Sequence, residues 1–456
     1  MKNCITWKMI LLPVLAGIIF FTACKKEITF TTKAKPELVI LPANDILNAS
    51  IIHFVKDTVY VLGTNLIIKD GQKFTIDAGT LIKVRDKFAV EINAGGKIES
   101  NGTNNEPVIF TSASLKGVPG KLIFSSATND NESFWYGITI SGAAGVSSGN
   151  INYTRIEFAG GYRGFDEASL TLNNVDSLTK LQGIQVSYSY FNASLKISGG
   201  NCNASNLVSY ASSGSDFILS DGYKGGLQYL LAYRHPYFAP DASSGTSIAG
   251  LVLTGSNTFP AISNMSVIGP GSTQSGIAAK YYSTYNPSGG GFGSRVAALL
   301  VQGGEFYIRN SVFAGFPKTA FYLDNRASAR SLEYDYSEYT NCITQCSDTS
   351  RLFFLTPGIY LPYNSSDFKG FLLRPIYNNQ VFLDFNALSL TDPFNYDINP
   401  DPMPASTSLL LSGANFDGPI FSNTFFKKTT CLGALGNENW LTGWTNFIPL
   451  QTEYNP

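Results

Sequence analysis

Charged residues and histidine are scarce in this sequence of 456 residues. Asp, Glu, Lys and Arg make up 14% of the chain, and 32 basic residues against 33 acidic ones leave a formal net charge of -1. A chain with almost no net charge has no long-range field that attracts nucleic acid, so we predict no nucleic-acid partner. With only His53 and His235 available, a metal site of histidine and cysteine is not expected, and the sequence indicates no cofactor.

The N-terminal end has the layout of a bacterial signal peptide. Two lysines border an apolar run over residues 9–23, and this run is shorter than the roughly 20 residues of a membrane-spanning helix. The small residues before Cys24 resemble the lipobox of bacterial lipoproteins, in which the cysteine is lipidated and becomes the first residue. We predict a cleaved signal peptide over residues 1–23 and a lipidated tether over residues 24–44. The protein is then an outer-membrane lipoprotein of the bacterial cell envelope, with surface exposure left open.

Cysteine is also infrequent, with six in the whole chain. One leaves with the signal peptide and Cys24 carries the lipid, which leaves four thiols in an oxidising compartment. Four cysteines allow three pairings. Cys342 and Cys346 are near enough in sequence to close a small loop and are the candidate disulfide. For Cys202 and Cys431, buried free thiols are the alternative.

The composition favours strands and turns over long helices. Glycine occurs 43 times and aromatic residues make up 13% of the chain, which suits short strands joined by tight turns. From about Thr58, apolar segments such as Val59–Leu62 alternate with turn residues, and no helical period persists across them. Turns recur about every 8 to 12 residues, a rhythm that a β-sandwich and a β-solenoid share.

Repetition at a longer spacing favours the solenoid. Tyr188, Tyr210 and Tyr233 end three similar segments and lie 22 and then 23 residues apart, about the length of one coil of a parallel β-helix. Equivalent positions of successive coils stack about 4.8 Å apart. The side chains expected to stack in this way are Val186 with Val208 and Leu231, and Tyr188 with Tyr210 and Tyr233.

Asparagine recurs at the start of related segments. Asn206, Asn264 and Asn310 each precede a short run of small and apolar residues. Because asparagine tolerates left-handed backbone and bonds to nearby amides, we interpret these residues as a ladder at a corner of the coil. Ligand binding by these side chains is the alternative.

The sequence therefore predicts an all-β fold, a right-handed parallel β-helix with loop insertions and a C-terminal cap. The β-helix is assigned to residues 45–345, and residues 346–456 form the loop-rich C-terminal part of the solenoid and the cap. Two of the four tryptophans lie between Gly433 and Trp444. We interpret this segment as the cap, because a solenoid needs a cover over its open apolar end.

Several segments of the sequence resemble those of a known family. They are Ile76-Asp77-Ala78-Gly79-Thr80, Glu106-Pro107-Val108-Ile109-Phe110-Thr111, Tyr153-Thr154-Arg155-Ile156-Glu157-Phe158-Ala159-Gly160-Gly161, Ile184-Gln185-Val186-Ser187-Tyr188-Ser189, Asp221-Gly222-Tyr223-Lys224-Gly225 and the ending from Trp440 to Trp444. The family consists of Gram-negative surface or outer-membrane lipoproteins with a predicted right-handed parallel β-helix, and the resemblance implies an architecture without an activity. Its members commonly carry acidic runs where this chain keeps Asp216 and Asp221. A calcium site, which needs six to eight oxygen ligands, is therefore not expected from these two candidates.

Many parallel β-helices are polysaccharide hydrolases or lyases, so an enzyme is the alternative to a binding protein. The hydrolases resemble one another in an adjacent aspartate pair and a Gly-His-Gly turn, and this sequence has neither. Lyases use calcium-binding acids with an Arg or Lys base, a pattern too dispersed to recognise in one sequence. Arg155 and Glu157 lie two apart on one strand, and we interpret them as a surface ion pair. No catalytic residue is assigned.

Two groups of tyrosines are candidate binding residues, because aromatic faces can contact sugar rings or a partner protein. They are Tyr281, Tyr282 and Tyr285, and Tyr334, Tyr336 and Tyr339. Tyrosine also suits strands for purely structural reasons. We therefore predict a lipoprotein that is held at a membrane by its lipid and binds a glycan or an envelope protein without catalysis. A polysaccharide lyase or glycoside hydrolase is the alternative.

Overall fold

Short strands wind this chain into a solenoid. The computed structural model describes residues 34–114, 134–161, 168–190, 192–235, 248–271, 295–396 and 400–454. Within these ranges, 17 strands form one sheet and ten form a second sheet, and the neighbouring strands of both are parallel. Because the chain alternates between the sheets, each circuit adds one layer to both. The fold is the predicted right-handed parallel β-helix.

The strands and helices are numbered in chain order. Their bounds are β1 (Glu37–Ile40), β2 (Ile51–Phe54), β3 (Val59–Leu62), β4 (Leu66–Ile68), β5 (Lys73–Ile76), β6 (Leu81–Val84), β7 (Ala89–Ile92), β8 (Lys97–Asn101), β9 (Val108–Ser112), β10 (Gly137–Ser141), β11 (Gly149–Glu157), β12 (Leu170–Asn173), β13 (Lys180–Ser187), β14 (Ala193–Ser198), β15 (Ala204–Tyr210), β16 (Ser215–Ser220), β17 (Gly226–Tyr233), β18 (Ile248–Leu253), β19 (Ala261–Ile268), β20 (Val296–Val301), β21 (Tyr307–Arg309), β22 (Val312–Ala314), β23 (Phe321–Leu323), α1 (Arg326–Glu333), β24 (Glu338–Thr340), β25 (Ile343–Gln345), β26 (Phe353–Leu355), α2 (Ser365–Leu372), β27 (Gln380–Phe382), β28 (Leu390–Asp392) and β29 (Asp401–Pro404). The smaller parallel sheet has the order β26-β23-β20-β18-β16-β14-β12-β10-β7-β4. Strands β28 and β29 form a separate antiparallel pair.

Aliphatic and aromatic side chains fill the interior of the solenoid in stacked rows. In the smaller sheet, Ile138, Leu170, Leu195 and Phe217 occupy equivalent positions of four successive strands, and all are buried. Burial of such a side chain stabilises a fold by about 1.5–3 kcal/mol. The rows continue along the solenoid, so each coil is stabilised mainly by contacts with the coils before and after it.

The register of the coils corrects one detail of the predicted stacking. Ser187 pairs with Tyr210, and Tyr210 pairs with Tyr233, so both coils contain 23 residues. The rings of Tyr210 and Tyr233 contact each other at a tilt, with centroids 5.7 Å apart. Tyr188 lies one residue out of register, although its ring contacts Tyr210 at 5.8 Å.

The same one-residue offset separates Val186 from the other two aliphatic residues of the predicted stack. Val208 pairs with Leu231 as predicted, but Val186 pairs with Ser209. Successive side chains of a strand point to opposite faces, so a shift of one residue exchanges the faces. Val186 therefore lies in the interior core, while Val208 and Leu231 belong to an apolar cluster on the outer face.

The predicted asparagines do lie at one corner of the solenoid, although Tyr229 occupies the coil between Asn206 and Asn264. Asn206, Asn264 and Asn310 have φ angles of 57°, 56° and 56°, in the left-handed region that asparagine tolerates. They occupy equivalent positions of different coils in the larger sheet. We call the whole set of equivalent left-handed residues the corner column. Its members are Tyr153, Gly183, Asn206, Tyr229, Asn264, Asn310 and Asn341.

The cap at the C-terminal end of the solenoid is α2 rather than the tryptophan-containing segment. The helix contacts β26, and its Phe368 and Leu372 are buried in the interior core. The ring of Phe368 contacts that of Phe321 at 5.2 Å and that of Phe353 at 6.1 Å. Phe368 and Leu372 of the helix therefore close the apolar end, and the prediction for Gly433–Trp444 is wrong.

After β27 the chain turns back along the outside of the larger sheet, and we call residues 383–454 the strap. The strap contacts coils along much of the solenoid, although not in strict order: Leu383 contacts Gln345, Tyr396 contacts Arg234, Asn415 contacts Asn310, Lys427 contacts Gln228, and Asn446 contacts Gln185. Its last described contact is a hydrogen bond from the Tyr454 hydroxyl to Glu157, 2.7 Å long. The strap thus covers the outer face from β25 back to β11.

The solenoid also begins earlier than predicted. Residues 24–44 were assigned to a tether, but β1 pairs in parallel with β3, and Ile40 is fully buried. The short strand fits between Pro36 and Pro42, so the two prolines bound the strand instead of preventing it. Among the described residues, no helix has the length and apolarity that a membrane crossing requires.

Candidate functional site

Amide side chains on the solenoid hold the main chain of the strap. The side chain of Gln228 donates to the carbonyl of Lys427 at 2.8 Å and accepts from its N–H at 2.8 Å. Gln185 makes the same two bonds with Asn446, at 2.8 and 2.7 Å. Both glutamines are buried, so each pair of bonds satisfies a side-chain amide that would otherwise be costly to bury.

Between these contact points the strap and the solenoid border a groove of about 520 Å³. Its floor is formed by Tyr153, Gln182, Asn206 and Tyr229, three of which belong to the corner column. Tyr153 and Tyr229 are three coils apart, which corresponds to about 14 Å at the usual strand spacing. The groove therefore runs along the solenoid axis and suits a ligand longer than a single ring.

The strap forms the other wall of the groove, with two tryptophans at its centre. Trp440 and Trp444 stack with ring centroids 6.1 Å apart, and Trp444 also contacts Tyr153 edge-on at 5.7 Å. The indole N–H of Trp440 donates to the carbonyl of Ala434, and that of Trp444 donates to the carbonyl of Trp440, both at 2.7 Å. These bonds fix both indoles, and the half-buried Trp440 presents an aromatic surface to the groove.

Polar and charged groups of both signs border these rings. Lys427 and Lys428 are exposed on the strap wall, and Glu438 is exposed farther along it. Burial raises the pKa of the Tyr229 hydroxyl, and the neighbouring Cys431 and Glu438 add to the shift. Tyr229 is therefore a neutral hydrogen-bonding group at neutral pH. Aromatic faces combined with a few fixed polar groups are typical of a ligand site.

The tyrosines predicted to bind a ligand differ in their exposure to solvent. Tyr334 and Tyr336 are 55% and 61% exposed, and their rings are nearly parallel with centroids 6.4 Å apart. Tyr339 is buried in the core and its hydroxyl hydrogen-bonds to that of Thr344, so it is not a binding residue. The other predicted group, Tyr281, Tyr282 and Tyr285, lies outside the described residues, as does Cys24.

The two candidate metal ligands, Asp216 and Asp221, both bind other side chains of the protein. Asp216 is fully buried and pairs with Arg234 at 3.0 Å, and it also accepts a hydrogen bond from Ser209 at 2.6 Å. Asp221 is exposed at the turn after β16 and accepts hydrogen bonds from Ser198 and Ser220, which lower its pKa. Within the described ranges, no group of three or more His, Cys, Asp or Glu side chains is placed to hold a metal ion.

The ion pair of Arg155 and Glu157 is buried, contrary to its prediction as a surface pair. The side chains are 11% and 1% exposed and lie 3.7 Å apart, because the end of the strap covers them. Burial raises the pKa of Glu157, and the charge of Arg155 and the hydroxyl of Tyr454 oppose this shift. The pair therefore belongs to the contact between strap and solenoid.

The candidate disulfide is also wrong. Cys342 and Cys346 flank the extended strand β25, so their Cα atoms are roughly 13 Å apart at about 3.3 Å per residue. A disulfide needs Cα atoms within about 7 Å. Both are buried free thiols, as are Cys202 and Cys431.

The strand stacking, the corner column and the axial groove define a class of protein, the right-handed parallel β-helices. Within this class, the chain belongs to the family with a pectate-lyase-like β-helix domain, whose model matches residues 47–351. Searches among curated proteins and among solved structures return no match.

Of the residues that line the groove, the sequence singled out Tyr153, Asn206, Cys431, Trp440 and Trp444, but in other roles. Asn206 was assigned to a turn ladder, and the tryptophans were assigned to an end cap. Gln182, Tyr229 and Lys427 carried no signal, because strap and solenoid meet only in the folded chain. The amide-rich outer positions Gln185 and Gln228 are the one pattern that could have indicated a docked segment.

Proposed function

We propose that this protein is a lipid-anchored protein of the bacterial envelope that binds a glycan in the groove without cleaving it. The observation that supports binding is the lining of the groove. Aromatic surfaces of Tyr153, Tyr229 and Trp440 stand beside the amides of Gln182 and Asn206. Aromatic rings pack against the apolar faces of sugars, while amides match the hydroxyl groups at the edges.

The site is also preformed, which favours binding. Both indole N–H groups are satisfied within the strap, and Lys427 is held by both bonds of Gln228. Little side-chain freedom is lost when such rings contact a ligand, so more of the contact energy appears as affinity.

Replacing Trp440 by Ala should weaken glycan binding at least tenfold, because tryptophan at the centre of a site commonly contributes more than the roughly 1.4 kcal/mol that a tenfold change represents. The measurement begins with an array of bacterial and host glycans. Titration calorimetry then compares the wild type with the Trp440→Ala variant on the oligosaccharide that binds best, after circular dichroism has confirmed that both proteins are folded.

Tyr336→Ala is the matched control, since Tyr336 is an exposed aromatic residue outside the groove. Its affinity should equal that of the wild type. Loss of binding in Tyr336→Ala with full binding in Trp440→Ala would move the site to the Tyr334–Tyr336 surface. An array without any signal above background would contradict glycan binding altogether.

Family membership supports a second candidate function, cleavage of a polysaccharide. A glycoside hydrolase needs two carboxyl groups around the scissile bond. Among the described residues that line the groove, Glu438 is the one carboxylic acid. We therefore favour binding. Release of new reducing ends or of unsaturated uronate from a polysaccharide would favour the enzyme instead.

The proposed location rests on the lipobox-like Thr22-Ala23-Cys24. A Cys24→Ser variant should leave the membrane fraction, because a chain without acyl groups loses about 0.8 kcal/mol for each methylene that the bilayer would bury. Fractionation of cells that express either protein, followed by immunoblotting, measures the change. Retention of Cys24→Ser in the membrane fraction, with the wild type also there, would contradict the lipid anchor.

A further inference from the structure

Side-chain amides on the outer face of the solenoid bind main-chain amide groups of the strap at several points. Asn310 donates to the carbonyl of Asn415 at 3.0 Å and accepts from its N–H at 2.8 Å. Gln228 and Gln185 bind Lys427 and Asn446 in the same two-bond manner. Each side-chain amide thus pairs with a carbonyl and an N–H together, as a neighbouring main chain would.

Two further amides occupy equivalent positions but face the groove. Gln182 lies in the row that contains Ser205 and Gln228, and Asn206 lies in the corner column with Asn264 and Asn310. Among the described residues, neither of the two groove amides has a hydrogen-bond partner. The main chain of the strap contacts the solenoid on either side of them, at Ala434 and at Asn446.

We propose that the groove selects glycans that carry N-acetylated amino sugars. Asn206 and Gln182 pair with the carbonyl and the N–H of the acetamido group, as Asn310 and Gln228 pair with the main chain of the strap. The sugar ring packs against the aromatic wall at Trp440. This inference rests on the proposed function, and it adds the class of sugar that the groove distinguishes.

The dimensions and the lining of the groove suit such a sugar better than a peptide. A volume of about 520 Å³ lies within the range of sites for small molecules and short oligosaccharides. Aromatic surfaces at Tyr153, Tyr229 and Trp440 match a series of rings, and the amides on the floor lie between the two tyrosines. A peptide offers the same secondary amide but carries no regular series of ring faces.

The test compares two β-1,4-linked oligosaccharides of equal length, one of N-acetylglucosamine and one of glucose. These sugars differ only in the acetamido group. The N-acetylated oligomer should bind about tenfold more tightly to the full-length protein in titration calorimetry, because two hydrogen bonds to buried or half-buried partners are gained.

An Asn206→Gly variant should lose most of this preference while it keeps the affinity for the glucose oligomer. Glycine adopts the φ of 57° without strain and already occupies the equivalent position at Gly183, so the amide is removed with the backbone intact. Asn257→Gly is the matched control, since Asn257 is also left-handed, at φ 65°, and lies outside the groove. Its preference should be that of the wild type.

Four outcomes separate the inference from the function on which it rests. Preferential binding of the N-acetylated oligomer that Asn206→Gly abolishes supports the inference. Equal binding of both oligomers, or a preference that Asn206→Gly leaves unchanged, overturns it but leaves glycan binding intact. Failure of both oligomers and of every glycan on the array overturns the proposed function itself. Tight binding of an N-acetylated extended peptide in place of the sugar overturns the choice of a glycan.

Discussion

The Asp216→Ala variant should lose about 3–5 kcal/mol of the free energy of unfolding, because it removes the carboxylate that pairs with the buried charge of Arg234. Both side chains are 0% exposed and lie 3.0 Å apart. Arg234 also donates to the carbonyl of Gly214 at 2.7 Å, and a carbonyl does not neutralise a guanidinium. Equilibrium unfolding in urea, followed by circular dichroism, measures the change.

A double variant separates the charge from the loss of contacts. Asp216→Ala combined with Arg234→Met removes both charges and keeps a long apolar side chain at position 234. Its stability should lie much closer to that of the wild type, since replacing a buried pair by apolar residues is often neutral. Equal losses in the single and double variants would contradict an energetic role of the charge. Ser209 would lose its hydrogen bond to Asp216 in both, so that contact cancels in the comparison.

Truncation after Leu383, which removes nearly all of the strap, should leave a chain without a stable cooperative fold. The strap covers a row of apolar side chains on the outside of the solenoid: Val208, Tyr210, Leu231, Tyr233, Ile268, Val312 and Ile343. At about 1.5–3 kcal/mol for each side chain, their exposure costs on the order of 10 kcal/mol, which is similar to the whole stability of a typical domain. Urea unfolding and binding of a hydrophobic dye measure the effect.

A shorter truncation provides the control for that experiment. Ending the chain after Ile448 removes the hydrogen bond from Tyr454 to Glu157 and those from the Asn446 side chain to Thr452 and Tyr454. It keeps the two main-chain bonds of Asn446 to Gln185 and the packing of Trp444 and Phe447. Its unfolding midpoint should fall only slightly. A chain truncated after Leu383 that unfolds at the wild-type urea concentration and binds no dye would show that the strap does not stabilise the solenoid.

The parts of the fold that repeat along the chain could be predicted from the sequence. Asn264 and Asn310 begin similar segments because both occupy the same left-handed corner, and only a few residue types tolerate that backbone. The coil length followed from Tyr210 and Tyr233, which pair in register. The offset of Tyr188 could not be predicted, because a turn can take up one residue without a change in hydrophobic pattern.

The strap and the groove depend on contacts between distant residues, and these leave little trace in a single sequence. Gln228 and Lys427 are 199 residues apart, and a glutamine that binds a main chain does not specify the sequence of its partner. Trp440 was noticed for its composition, but its place could not be inferred without the path of the strap. Burial of Glu157 was missed for the same reason, since Tyr454 covers it from the far end of the chain.

The strap has a further consequence for how such a protein can change in length. Solenoids commonly grow or shrink by whole repeats, because each coil contacts only its neighbours. Here the strap is attached to coils that lie far apart along the solenoid, at Gln345, Asn310, Gln228 and Gln185. A duplicated or deleted coil between two of these points would displace them by about 4.8 Å, and the strap would no longer meet all of its partners. The strap therefore restricts the number of coils between its points of attachment.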